Sequence, residues 1–361
     1  MLYLHDHDFE KARELEETIQ QDPEQKALQL YVLGDFQPSR VGYTGKYVRV
    51  MSDARVERLS AYLLTELEHA EEWVASNLDV LETCLTCFFM DGTGPSPFNA
   101  RLGDVYLKVG HYNPVVHDRE MVQHAIIHEL THIYLRNEAG FSVGQSEFGI
   151  RKFFDEGFAQ CCGYRAVGAF ERKLAHANAC SSVVVKQDLE GLVQRIENWQ
   201  ETLFRERHYP LYQASLSFIA SFEASTGHEG ILQLFQAADN KSSFSDIIRS
   251  IAGESFEHLL STWAERLPNP DELDGRDFFK VTSTERLSSG RLRIGYVSEF
   301  PLYPVNDVLA LDPSGRQLEV SIDRSKRYEE SGDFIVSSVE GRTLSLTIVH
   351  DDMVQQIETG E

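Results

Sequence analysis

REMVQHAIIHELTHIYLRN, residues Arg119–Asn137, is the stretch on which the fold of this chain turns. Ile126, Ile127, Leu130, Ile133 and Tyr134 recur at helical spacing and form an apolar stripe that would bury the helix. Asp118 stands before it as an N-cap, and Gly140 follows shortly past its end. Within the helix lies His128-Glu129-Leu130-Thr131-His132. Residues four apart on a helix sit one above the other, so both imidazoles project from one face. At that spacing two side chains can grip one tetrahedral zinc ion. Glu129 stands about 100° further round the helix, too far to join them as a ligand but beside the metal's open position. From there it can take a proton from a water whose pKa the metal has lowered toward neutrality. The blander alternative is a buried helix whose polar residues cap neighbouring elements. A third protein ligand decides between the two, because a catalytic zinc site needs one.

Twenty-three residues separate His132 from Glu156, which lies in Phe153-Phe154-Asp155-Glu156-Gly157-Phe158-Ala159. The pairing of HELTH with FFDEGFA resembles the gluzincin clan of zinc metallopeptidases, which includes thermolysin and the aminopeptidase-N-like enzymes. The resemblance implies a hydrolase that cuts peptide bonds. It implies one zinc ion per chain, held by His128, His132 and Glu156, with Glu129 as general base. The gap between the two motifs is longer than in either named group, consistent with an enlarged loop over residues 138–150. Leu211-Tyr212 and the helical stretch after it are similar to the segment that follows the zinc site in peptidase-MA-like domains. In the aminopeptidase-N-like relatives a tyrosine opening that helix bonds the oxyanion, and Tyr212 matches the position. A phenol suits the role as a neutral donor reaching charge that develops only in the transition state. The same tyrosine also fits an amphipathic core position. The Gly-x-Met-Glu-Asn segment that binds a substrate's free amino terminus in the aminopeptidases does not occur here. In its expected neighbourhood stands Gly103-Asp-Val-Tyr-Leu-Lys-Val-Gly, a strand to which an extended peptide can add. His124, one turn before His128, reads as a core residue or one packed behind the ligands. Asp155 and Gln160 are two choices for orienting a ligand imidazole. His111 and His117 read as surface loop residues.

Working outward, residues 9–30 are helix-prone and Leu28–Leu33 is strand-like. Tyr47–Met51 and Asp104–Val109 alternate as strands do, Thr83–Met90 reads as an apolar strand, and Asp53 can cap an amphipathic helix running to about Asn77. Helices are expected over about 152–167, 183–206, 210–226, 229–238, 243–251 and 256–266. Pro268-Asn-Pro-Asp-Glu-Leu-Asp-Gly then breaks the pattern. Beyond it come short alternating runs at 278–282, 292–297, 318–322, 334–336 and 344–349. The expected fold class is α+β. A zincin-like catalytic domain, a small sheet plus a helical lobe, would occupy residues 45–267, with a helix and strand segment at 1–44 before it. A small all-β domain would follow at 275–361, available to a protein partner or to dock on the catalytic domain.

Across 361 residues, 57 acidic against 34 basic side chains leave a net charge of −23. So negative a surface repels phosphate backbones and anionic membranes, which points away from nucleic acid and membrane partners and toward a peptide or protein substrate. No apolar run approaches the ~20 residues of a membrane helix. The N-terminus lacks the basic and apolar regions of a signal peptide, and the five cysteines make no disulfide framework. Cys84 and Cys87 read as buried free thiols rather than half a metal site. The cytoplasm is the expected location. A catalytically inactive or self-processing protein of the same fold, acting as a binding module, is the alternative reading.

Overall fold

The computed structural model describes residues 38–46, 48–78, 85–90, 104–108, 119–137, 147–187, 189–199, 209–238, 243–269, 277–302, 308–312, 317–318, 320–321, 329–337, 343–350 and 353–360. The expected helix at 9–30, the strand at Leu28–Leu33, the Asp118 cap, Gly140, His111, His117 and Cys84 lie outside the described residues. The chain divides into two compact units, Met1–Glu138 and Ala139–Glu361, and mixes helix with sheet.

In the first unit, strands β1 (Pro38–Thr44), β2 (Val48–Asp53), β3 (Leu85–Met90) and β4 (Asp104–Lys108) form one sheet in the order β1-β2-β3-β4. β1 and β2 pair antiparallel across a tight turn, whereas β2, β3 and β4 run parallel. Parallel neighbours need a crossover, and helix α1 (Ser60–Leu78) lies between β2 and β3 in the chain. Its Leu63, Leu67, Ala70, Val74 and Leu78 are buried, at the three- and four-residue spacing of one helix face. Asp53 does not cap α1 directly. Its carboxylate accepts from the Arg55 backbone N–H at 2.9 Å, and a 3-10 turn at Glu57–Leu59 leads into the helix. Helix α2 (Arg119–Asn137) has the bounds the sequence suggests and packs on α1. Two buried acids of α1 tie the helices together. Glu66 accepts from Gln123 Nε2 at 2.6 Å and from Arg119 Nε at 3.1 Å, and Glu71 accepts from the Tyr134 hydroxyl.

The second unit opens with helices α3 (Phe148–Ala166), α4 (Phe170–Gln187) and α5 (Leu189–Glu197). Next come α6 (Tyr209–Ala237), α7 (Phe244–Ala252) and α8 (Phe256–Arg266). The helix expected over 183–206 is replaced by α4 and α5, so α4 begins well upstream of that range. α6 joins the two helices expected at 210–226 and 229–238, and its axis breaks at Gly227, whose φ of 78° favours glycine. An aromatic cluster binds the lobe. Phe154 meets Phe218, Phe222 and Phe244 with ring centroids 5.3–5.5 Å apart, each edge-on.

The remaining strands are β5 (Phe279–Arg286), β6 (Leu292–Leu302), β7 (Val308–Leu311), β8 (Gln317–Leu318), β9 (Val320–Ser321), β10 (Glu329–Val336), β11 (Thr343–His350) and β12 (Met353–Gly360). They form two antiparallel sheets, β5-β6-β10-β9 and β12-β11-β7-β8. One core of Phe278, Ile294, Tyr296, Ala310, Phe334, Leu346 and Ile348, among others, draws on both sheets, as in a β-sandwich. β7 and β12 were not among the expected runs. Leu309 and Val349 also pack with Ala179, Cys180, Val183 and Val184 of α4. Among the described residues Cys87, Cys161, Cys162 and Cys180 are buried, and no helix is long and apolar enough to cross a membrane.

Candidate metal centre

α2 places His128 and His132 as their spacing requires. Ile126, Ile127, Leu130 and Ile133 are buried, and the apolar stripe takes the two imidazoles inward with it. His128 is 8% exposed and His132 3%. Their Nε2 atoms stand 3.2 Å apart, with the rings perpendicular and their centroids 4.8 Å apart. Zinc–nitrogen bonds of ~2.0–2.1 Å at tetrahedral angles put two ligand nitrogens ~3.3 Å apart, so the pair is spaced for one ion. Thr131, between them, turns its hydroxyl to the Ile127 carbonyl at 2.8 Å. Glu129 is half-buried. His124 is also half-buried, its ring centroid 6.0 Å from that of His128.

Glu156 sits on α3, 6% exposed, beside a fully buried Asp155. The chain comes close to its neighbours at this point. A Cβ on Gly157 would lie 2.5 Å from the Ser215 carbonyl oxygen and 2.5 Å from Ile219 Cγ1, both on α6. The glycine after the acid is therefore a packing requirement, letting α3 lie against α6. Gly149 does the same toward α5, where an added Cβ would meet the Ile196 carbonyl oxygen at 1.8 Å. The N-terminus of α3 is anchored by Glu147, whose carboxylate accepts from the Phe244 N–H at 2.5 Å and the Ser245 N–H at 3.1 Å at the start of α7. Burial alone would raise the Glu147 carboxyl, but these bonds, the Ser245 hydroxyl and Arg151 hold it below the usual carboxylate range. At the far end Arg165 grips Glu223 of α6 through two bonds of 2.6 and 2.9 Å, and His228 Nδ1 lies 2.7 Å from the same carboxylate.

His128, His132 and Glu156 are three buried side chains whose ligand atoms all lie within 4.8 Å of one another. Two imidazoles and a carboxylate in that compass fit the protein donor set of a catalytic zinc, whose fourth ligand is ordinarily not a protein group. Tyr212 lies in the first turn of α6. It is half-buried, with its ring edge-on to Trp199 at a centroid distance of 5.7 Å. The Ser215 hydroxyl bonds its backbone carbonyl at 2.8 Å. One residue that the sequence reading did not single out stands beside Glu156. Lys152 Nζ lies 2.5 Å from Glu156 Oε1 and 2.9 Å from Asp155 Oδ2. Its offsets of three and four residues were visible in the sequence, and the burial that gives them meaning was not.

No protein-family model and no curated protein matches the chain. Among solved structures it has a distant likeness to Legionella pneumophila aminopeptidase A in complex with aspartic acid, at 13% identity and a TM-score of 0.40. The likeness covers 90% of this chain and 36% of that one, so this chain spans about a third of that protein's length.

Proposed function

We propose that this protein is a zinc-dependent peptidase of the gluzincin type, acting on a peptide or protein chain. The observation that carries the reading is the buried group of two histidines and one glutamate, with its ligand atoms within 4.8 Å. His128, His132 and Glu156 would hold the metal. Bound zinc supplies Lewis acidity toward a scissile carbonyl and lowers the pKa of a water toward neutrality. Glu129, next to His128 and only half-buried, accepts the proton of the attacking water and delivers it to the leaving amine. Tyr212 donates its phenol hydrogen bond to the oxyanion as negative charge develops there. An extended substrate laid along β4, the last strand in its sheet among the described residues, would find backbone groups to pair with.

Metal analysis of the purified protein, beside peptide cleavage by wild type and Glu129→Gln, tests this. About one zinc per chain is expected in both proteins, with cleavage by the variant slower by about 10²–10⁴-fold. Cleavage that survives the substitution removes Glu129 from the mechanism. Protein that takes up no zinc removes the site.

A further inference from the structure

Asp155 and Glu156 are consecutive acids on α3, 0% and 6% exposed. Two carboxylates withdrawn from water side by side are costly unless a cation or strong donors answer them. On their own helix the cation is Lys152, one turn earlier, whose side chain is 16% exposed and whose Nζ bonds both acids at 2.9 and 2.5 Å. On an exposed helix the order lysine then glutamate is the weaker arrangement of an i,i+4 pair. Here the burial of the acids, not helix-surface pairing, is what gives the contact its weight. Resting on the reading of Glu156 as a zinc ligand, we propose that Lys152 is a positioning residue. It holds the Glu156 carboxylate in the metal-free protein and hands it over when zinc binds, keeping Asp155.

The side-chain chemistry suits a hand-over. A lysine ammonium is a compact charge with three donors on a flexible four-carbon stem, so it can bond two carboxylates and release one without leaving the other. It also keeps the Glu156 carboxylate held against its own helix before any metal arrives. On this proposal the cost falls on metal affinity, because zinc competes with a cationic contact for the carboxylate and then sits near a like charge. Lys152 therefore trades tightness of zinc binding for a Glu156 carboxylate held in place without metal. That trade separates the proposal from an ordinary structural role, since a variant that only loosens the fold would bind zinc more weakly, not more tightly.

The test uses full-length wild type, Lys152→Met and Lys152→Arg, stripped of metal, melted, and then titrated with zinc against a chromophoric chelator. Metal-free Lys152→Met should melt below wild type, while Lys152→Arg, which keeps the charge, should stay close to it. Zinc should bind Lys152→Met tighter by about tenfold or more, the equivalent of about 1.4 kcal/mol. Equal or weaker zinc binding overturns the hand-over, and so does a metal-free melting temperature no lower than that of wild type. Should Lys152→Met fail to fold, Lys152→Gln takes its place under the same two criteria. Wild type that binds no zinc, or His132→Ala that binds it as well as wild type, defeats the zinc site itself and the hand-over with it. The wild-type and His132→Ala titrations thus tell that failure apart from failure of the hand-over alone.

Discussion

Tyr212 is the residue whose role depends most on its setting. Its ring packs edge-on against the fully buried Trp199, an apolar contact that helps fix the side chain's direction. Phenylalanine in its place keeps that contact and removes only the donor. Tyr212→Phe should therefore lower kcat by about 10²–10³-fold with KM nearly unchanged, as for loss of one oxyanion donor. Steady-state kinetics on a cleaved peptide checks this, and an unchanged kcat would return Tyr212 to a packing role. His128, Glu129, His132 and Glu156 were legible as candidates because helical spacing and a neighbouring acidic motif carry chemistry in one dimension. Lys152 was not, since a lysine near acids on a helix is ordinarily solvated.

At the scale of the element, α3 is held from both ends and along its length. Gly157 lets it touch α6, so Gly157→Ala drives a methyl to 2.5 Å from a backbone carbonyl that cannot step aside alone. Overpacking of this kind should destabilise the protein by about 1–3 kcal/mol, read as a lower midpoint in chemical denaturation. The Arg165–Glu223–His228 cluster makes the α3–α6 contact sensitive to acid. Burial would raise the Glu223 carboxyl, but bonds from His228 and Arg165 outweigh it and hold the group below its ordinary value of 4.5. A lowered folded-state pKa adds stability that is complete above the unfolded value and is lost as pH falls through the folded one. Wild type should thus lose stability more steeply below pH ~4.5 than Glu223→Gln, compared by denaturation midpoints at several pH values. Equal slopes would show that the cluster is not linked to folding. α2 was legible to its ends because its apolar stripe is regular. α4 was not, because Ser181, Ser182 and His176 are buried in it and blur the periodicity. β12, reading MVQQIETG, escaped notice for a related reason. Its Gln355 is buried and bonds the Phe278 and Phe279 backbone N–H groups at 2.9 and 2.7 Å. A polar side chain there does the work that an alternating pattern reserves for apolar ones.

For the molecule as a whole, the metal would act as a link between binding and folding. Any ligand bound by the folded state alone stabilises it, by about 2.7 kcal/mol at a free concentration one hundred times its Kd. Zinc should raise the melting temperature and EDTA should reverse the rise, with His132→Ala insensitive to both. Calorimetry of both proteins with zinc and with EDTA checks it, and a wild-type melting temperature indifferent to zinc would count against a folded-state site.

What the sequence determined by itself was local and periodic. The helix over Arg119–Asn137, three strands of the first sheet and the α+β class followed from spacing, alternation and turn residues, and the candidate ligands from helical spacing together with a family resemblance. These are properties of neighbours along the chain. What only the tertiary structure decided were the meetings between distant segments. Gly157 against Ser215, Glu66 against Gln123, Gln355 closing on β5, and Lys152 sunk beside two acids depend on which surfaces lose their water. No one-dimensional pattern records that, because burial is a property of the packed chain rather than of any stretch of it.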